Sequence, residues 1–225
     1  MDVVLAAVKA AYGTTALPGL ASGLVVRELD GWTRASELDP RRLVDAAQRR
    51  WEAPPHVAVA LLWRAYALWL SVPAAFGWVA ARRVPLLGGG DVLVRLDAPI
   101  APVRLGLRSS ELVPASPAVL RRTLLDEHVL PVLDGLQSVV RISRRILLGS
   151  LAAGVAHAAR HAVRVVPGTS TSEIGTLLAV LGLDDLLDWS ADEAGLVSIR
   201  RRTCCLAFML PQPRFCGDCC VLPTV

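Results

Sequence analysis

The chain has 225 residues, 53% of them apolar, or about 61% once its 17 glycines are counted in, against roughly 45 to 50% for an average globular protein. That excludes a disordered chain and leaves material for one well-buried core with a small appendage. The formal net charge is +4, but Lys9 is the only lysine, so 23 of the 24 basic residues are arginines, scattered among 20 acids. No basic stripe stands out, and nucleic acid is not an expected partner.

The N-terminal residues run into a short apolar stretch without a cationic flank, which reads as the start of a helix and not as a secretory signal. Asp39 before Pro40 makes an N-cap and first-turn pair for a helix through Arg50. Pro54-Pro55 separates that helix from an apolar segment beginning near His56. Between Arg64 and Arg82, the stretch Ala65 to Ala81 holds 17 residues without a charge. This is short of the roughly 20 that a helix needs to cross a bilayer, and Pro73 and Gly77 interrupt it. A fully buried core helix is the expectation, with no transmembrane span; peripheral association with a membrane surface is the other reading.

Gly88-Gly89-Gly90 breaks the chain before two alternating runs: Val92, Val94 and Leu96, then Val103, Leu105 and Leu107 against Arg104 and Arg108. They predict a hairpin linked through Pro99 and Pro102. The glycines precede a strand, and no Lys-Ser/Thr follows, so they read as a connector and not as a phosphate loop. Ser116-Pro117 opens a helix with apolar positions at Leu120, Leu124, Val129, Leu133, Leu136 and Val140, which Pro131 kinks or divides. A long helix from about Ile142 to Val163 follows. Ser170 and Glu173 have capping-box spacing, predicting a helix through Leu187, then a polar connection from Trp189 to Gly195 and a short strand from Leu196 to Ile199. The expected fold class is α+β: a mostly α-helical body with a small antiparallel β-sheet over residues 1–195, and a C-terminal cysteine-rich cluster-binding lobe over residues 196–225.

Several residues with chemical potential read as structural. His157 and His161 lie four apart on a predicted helix, but no Glu follows His157 and no third ligand is near, so they form a polar face. His56 sits near a helix start, and His128 sits with Asp126 and Glu127 on a polar helix side. Asp184, Asp185 and Asp188 read as an exposed helix side, and the six tryptophans, at 32, 51, 63, 69, 78 and 189, as core or groove walls. No Gly-x-Ser-x-Gly elbow is present, and a hydrolase is not expected.

The cysteines are different. All five (Cys204, Cys205, Cys216, Cys219 and Cys220) follow 203 residues that contain none. An odd number, two adjacent pairs and no secretory signal argue against a disulfide scaffold and for a reducing, cytoplasmic setting. The Cys216-Gly217-Asp218-Cys219 unit has a spacing that turns two thiolates toward one metal, with Gly217 easing the turn. Cys204-Cys205 suits a single tetrahedral ion less well, because neighbouring side chains of an extended segment point apart. A [2Fe-2S] cluster held by four thiolates is a larger target for ligands arriving from different directions. The spacing favours iron and leaves a structural four-cysteine zinc site, in a non-redox binding or interaction module, as the alternative. Arg200, Arg201, Arg202 and Arg214 flank the cysteines. Near a cluster their charge stabilises the reduced form and offers a hold for an anionic substrate; solvated arginines are the plainer reading. Phe208, Met209, Leu210 and Phe215 are the expected apolar surround.

This tail, Arg-Arg-Arg-Thr-Cys-Cys, ten residues, then Cys-Gly-Asp-Cys, resembles the cluster-binding segment of the ferric siderophore reductase family of the FhuF type. The family pattern is Cys-Cys, ten residues, Cys, two residues, Cys, and the preceding Arg-Arg-Thr also looks like its lead-in. The similarity covers roughly the last 25 residues; the body resembles the family only in general layout. The resemblance implies that Cys204, Cys205, Cys216 and Cys219 ligate a [2Fe-2S] cluster. It further implies a cytoplasmic oxidoreductase that passes one electron to Fe(III) in an imported ferric siderophore, releasing Fe(II), which hard oxygen donors hold far less tightly. No flavin or nicotinamide fingerprint is present, so a separate electron donor (a ferredoxin, flavodoxin or reductase) is implied. Cys220 is outside the pattern, either exchanging with Cys219 or free.

Overall fold

The computed structural model describes residues 1–96 and 100–221. Its first three helices form where the sequence signals place them. α1 (Asp2–Tyr12) ends where Gly13 takes a left-handed φ of 73° and returns its N–H to Lys9. α2 (Pro40–Arg50) is capped by the Asp39 carboxylate, which accepts from Arg41 N at 2.9 Å. α3 (Pro55–Ala81) has 27 residues and no polar face, a composition that only a buried helix tolerates.

The partner of α3 is α6 (Arg144–Val165), rich in small residues that let the two backbones approach. At Gly154 an added methyl would lie 3.0 Å from the Ala67 carbonyl oxygen. Trp63 of α3 is fully buried and donates from Nε1 to Leu147 O of α6 at 2.8 Å, so its one polar atom is satisfied inside the core. By length and composition α3 and α6 would each cross a bilayer. Here 78% and 67% of their most apolar windows are buried in the fold, mainly against each other and their neighbours. No clear transmembrane span emerges, and the stretch Ala65 to Ala81 is core.

The fold is α+β. The main sheet has four strands in the order β1 (Leu20–Val25), β5 (Val103–Leu107), β4 (Val92–Leu96), β2 (Thr33–Arg34). β4 and β5 form the antiparallel pair that their alternation predicts, with Val94 opposite Leu105. The predicted turn through Pro99 lies outside the described residues. β1 adds a parallel pairing to β5 at one edge. Two-stranded antiparallel ribbons complete the strands: β3 (Arg83–Pro85) with β6 (Leu112–Pro114), and β7 (Leu187–Ala191) with β8 (Val197–Arg201).

The helix opened by Ser116-Pro117 changes type just before Pro131: α4 (Pro117–Leu120) runs through a π-helical stretch, Arg121–Val129, into α5 (Leu130–Val139), which carries Pro131 in its first turn. Pro131 has no N–H to return to the Glu127 carbonyl, and that oxygen instead accepts from Gly89 N at 3.0 Å, anchoring the glycine connector. The Ser170–Glu173 capping box does not close. Glu173 accepts from Trp78 Nε1 at 2.9 Å and pairs with Arg82, leaving Ser170 to accept from Ser172 N at 3.2 Å. The helix it precedes, α7 (Ser172–Leu181), stops at Gly182, and the residues expected as its end and as a polar connection form a 3-10 turn and β7. His128, expected on a polar helix side, is wholly buried between Tyr66 OH at 2.6 Å and Leu87 O at 2.7 Å. Burial lowers its pKa to about 4, partly offset by the Leu87 hydrogen bond, and burial pushes the Tyr66 phenol far up.

Candidate metal centre

The β7–β8 hairpin carries the chain to the cysteines, and the boundary expected after residue 195 lies in its turn. Its register sets Leu187 opposite Arg201 and Asp188 opposite Arg200. Thr203 then fits against Gly149 of α6, where any side chain would collide with its hydroxyl. Beyond Cys205 the chain reverses at Leu206, a non-glycine residue at φ 63°, and enters a single 3-10 turn, Ala207–Met209. Cys219 N returns to Cys216 O at 3.1 Å, closing the turn that the Cys-x-x-Cys spacing predicts.

Cys205 and Cys216 are both buried, and their sulfurs lie 3.6 Å apart. Two thiolates on one tetrahedral metal with bonds of about 2.3 Å would be separated by about 3.8 Å, so this pair already has the edge length of a ligated site. The two sulfurs share a hydrogen bond, the main influence that lowers the Cys205 pKa, to about 5; the Ala207 N–H and the charges of Arg64 and Arg201 assist, and burial opposes. The same hydrogen bond and burial push Cys216 up. Cys204 feels Cys205, Cys220 and Cys219, and burial, its largest influence, raises it. Its sulfur accepts from Leu206 N at 3.3 Å, and Cys219 Sγ accepts from Val221 N at 3.4 Å. At Cys204 this bond works against the effect of burial. All five cysteines are free of disulfides. Among the described residues, no three His, Cys, Asp or Glu side chains surround a single metal position. The described donor set is therefore one close pair, Cys205 and Cys216, with no third donor converging on it.

The turn is tied to the body by a buried carboxylate that sequence reasoning passed over. Asp218 Oδ2 accepts from His157 Nε2 at 3.0 Å and from Arg201 Nε at 3.1 Å, and Asp218 O accepts from Arg201 N at 3.0 Å. Burial works against ionisation, but the His157 hydrogen bond and the Arg201 charge outweigh it and hold the carboxyl well below its usual range. His157 is thus one arm of the clamp on the cysteine turn. Its signal was the single acid inside Cys-x-Asp-Cys; the partner lies 61 residues away, and no local spacing reports it.

The flanking arginines divide in role. Arg201 is buried and committed to Asp218, while its charge still reaches Cys205. Arg202 is committed to Asp188, and the neighbouring acid Asp185 to Arg145 at 2.8 Å, so the acidic face is used by ion pairs. Arg200 is half-buried on β8, and Arg214 is exposed. Of the expected apolar surround, only Leu210 packs there. Phe208, Met209 and Phe215 are exposed, and the buried neighbours of Cys205 and Cys216 are Val57 and Leu61 at the start of α3 with Ala207, flanked by Trp51, Ala53, Leu206 and Leu210.

No protein-family model matches the chain, and no curated protein matches it either.

Proposed function

We propose that the chain is a [2Fe-2S] ferric-siderophore reductase acting in the cytoplasm, with Cys204, Cys205, Cys216 and Cys219 as ligands. The observation that carries this reading is the Cys205–Cys216 pair, held at 3.6 Å inside the Cys-Cys, ten-residue, Cys-x-x-Cys tail. When bound, the cluster would supply one-electron transfer, taking an electron from a separate donor and giving it to siderophore-bound Fe(III), which leaves as Fe(II). The chain's own residues account for the rest. Arg64 and Arg201 favour the Cys205 thiolate, and Leu206 N–H and Val221 N–H support Cys204 and Cys219. Val57 and Leu61 exclude water on the inner side, while the exposed Phe208, Met209 and Phe215 leave an apolar outer rim beside Arg214 for the chelate and the donor. No acid or base is needed, because the reaction transfers no proton that the protein must place.

The test is iron and acid-labile sulfide analysis of anaerobically purified protein, with its visible spectrum before and after dithionite. The expected result is about two irons and two sulfides per chain, a brown colour that bleaches on reduction, loss of both in Cys216→Ser, and retention in Cys220→Ser. Stoichiometric zinc on a colourless protein, persisting after reconstitution with iron and sulfide, would overturn the reading in favour of a structural site.

A further inference from the structure

Behind the cysteine turn, between α1, α3, α6 and β8, lies a cavity of about 200 Å³, the space of roughly seven waters. Arg201 lines it and is 3% exposed; its Nε is spent on Asp218, but Nη1 is buried without a partner. Ser150 lines the same cavity at 1% exposure, and its hydroxyl has no partner either. Nδ1 of His161 is a third unpartnered buried atom on this wall. A buried polar atom left unpaired is costly, so three around one space call for an occupant that hydrogen-bonds.

The charges decide which occupant. Two guanidiniums, Arg64 and Arg201, face the cavity against one carboxylate, Asp218, whose Oδ2 is already taken by His157 and Arg201. His161 is neutral at physiological pH, its pKa lowered to about 4 by burial and the charges of Arg160, Arg164 and His157. Tyr12, also on the wall, keeps its phenol proton, with a pKa raised by burial to about 12. Among its lining groups the site therefore offers donors and an excess of one positive charge. Water satisfies donors without offsetting that charge. We propose that this cavity binds a small oxyanion, phosphate or carboxylate, between Arg64 and Arg201, with the Ser150 hydroxyl as a further donor and Trp69 as an apolar wall. Such a site adjoins the cysteine turn through Asp218 and Arg201, with none of the cysteines in its lining.

The test is calorimetric titration of the protein as purified, in chloride buffer, with inorganic phosphate and separately with acetate. Saturable binding at one site per chain is expected, with the tighter of the two probes identifying the chemistry of the occupant. Arg64→Gln should weaken it at least about tenfold, which is about 1.4 kcal/mol, and Ser150→Ala severalfold, with unchanged circular dichroism. Absence of saturable binding by either anion up to about 10 mM would overturn the proposal, as would unaltered affinity in folded Arg64→Gln. Should that variant fail to fold, unaltered affinity in Ser150→Ala would overturn it equally.

Discussion

Trp63 and Asp218 stand at the centres of two regions built on different principles. Around Trp63, α3 and α6 meet through alanines, leucines and glycines, and polar atoms are few, the Trp63 Nε1 among them satisfied by Leu147 O. Around Asp218 the apolar contribution is a handful of residues, and the chain is held by one carboxylate, one guanidinium, one imidazole and short backbone bridges. Apolar packing is distributed, so losing one contact leaves the rest. A polar clamp is concentrated, so losing one member strands the others in a dry place. The body is accordingly expected to set the global stability and the tail to open as a smaller unit.

The largest expected effect is in the body. Trp63→Ala removes a fully buried indole and its hydrogen bond to Leu147, and should lower the unfolding free energy by about 3–5 kcal/mol in urea titrations. A much smaller loss would mean that α3 and α6 are not the stabilising centre. Acid should separate the two regions. The folded pKa of His128 lies below its unfolded value near 6.5, at about 4, so below pH 6.5 the unfolded chain takes up a proton that the folded chain refuses. Body stability should fall as the pH drops from 6.5 to 4, by about 3 kcal/mol at most, and His161 acts in the same direction. Asp218 acts in the same direction but in a lower window: its depressed pKa gives a contribution complete above the ordinary carboxylate range and lost only below it. Urea midpoints at pH 7 and pH 4.5 that coincide would remove this distinction.

A smaller global effect is expected from Asp218→Ala, because the cost is capped by opening of the tail alone. Hydrogen exchange should show lost protection at the amides of Arg201 and Cys219, which are bonded to Asp218 O and Cys216 O, while the urea midpoint of the body moves little. Cooperative unfolding of the whole chain in that variant would show one unit where two are described. The smallest effect belongs to the surface: Arg145→Ala, breaking an exposed pair with Asp185, should cost about 0.5 kcal/mol or less in the same titration.

What could be read beforehand follows the range of each interaction. Asp39-Pro40, the alternation on either side of Pro99 and the uncharged run from Ala65 act within a few residues, and the helices and the β4–β5 pair came out accordingly. Local grammar misled where a distant partner competed for the same atom. Glu173 had a spacing for capping but found Trp78 and Arg82, and Leu187 looked like a helix end but found Arg201 across a ribbon. The cysteine spacing located the candidate centre, yet the clamp of His157, Arg201 and Asp218 was invisible because two of its members sit on different elements far apart in the chain. β1 was missed for a similar reason, since its pairing with β5 is parallel and nothing beside it in the sequence announces the partner.

Pro131 shows a further economy of construction. The missing amide that ordinarily makes proline a helix breaker here leaves the Glu127 oxygen free to hold Gly89, so an absence in one element becomes the fastening point of another. Restoring an amide at position 131 would improve the helix and offer that oxygen a rival donor. A change that helical propensity alone would score as an improvement would thus be felt as slack in the glycine connector and in the β4 strand that it feeds.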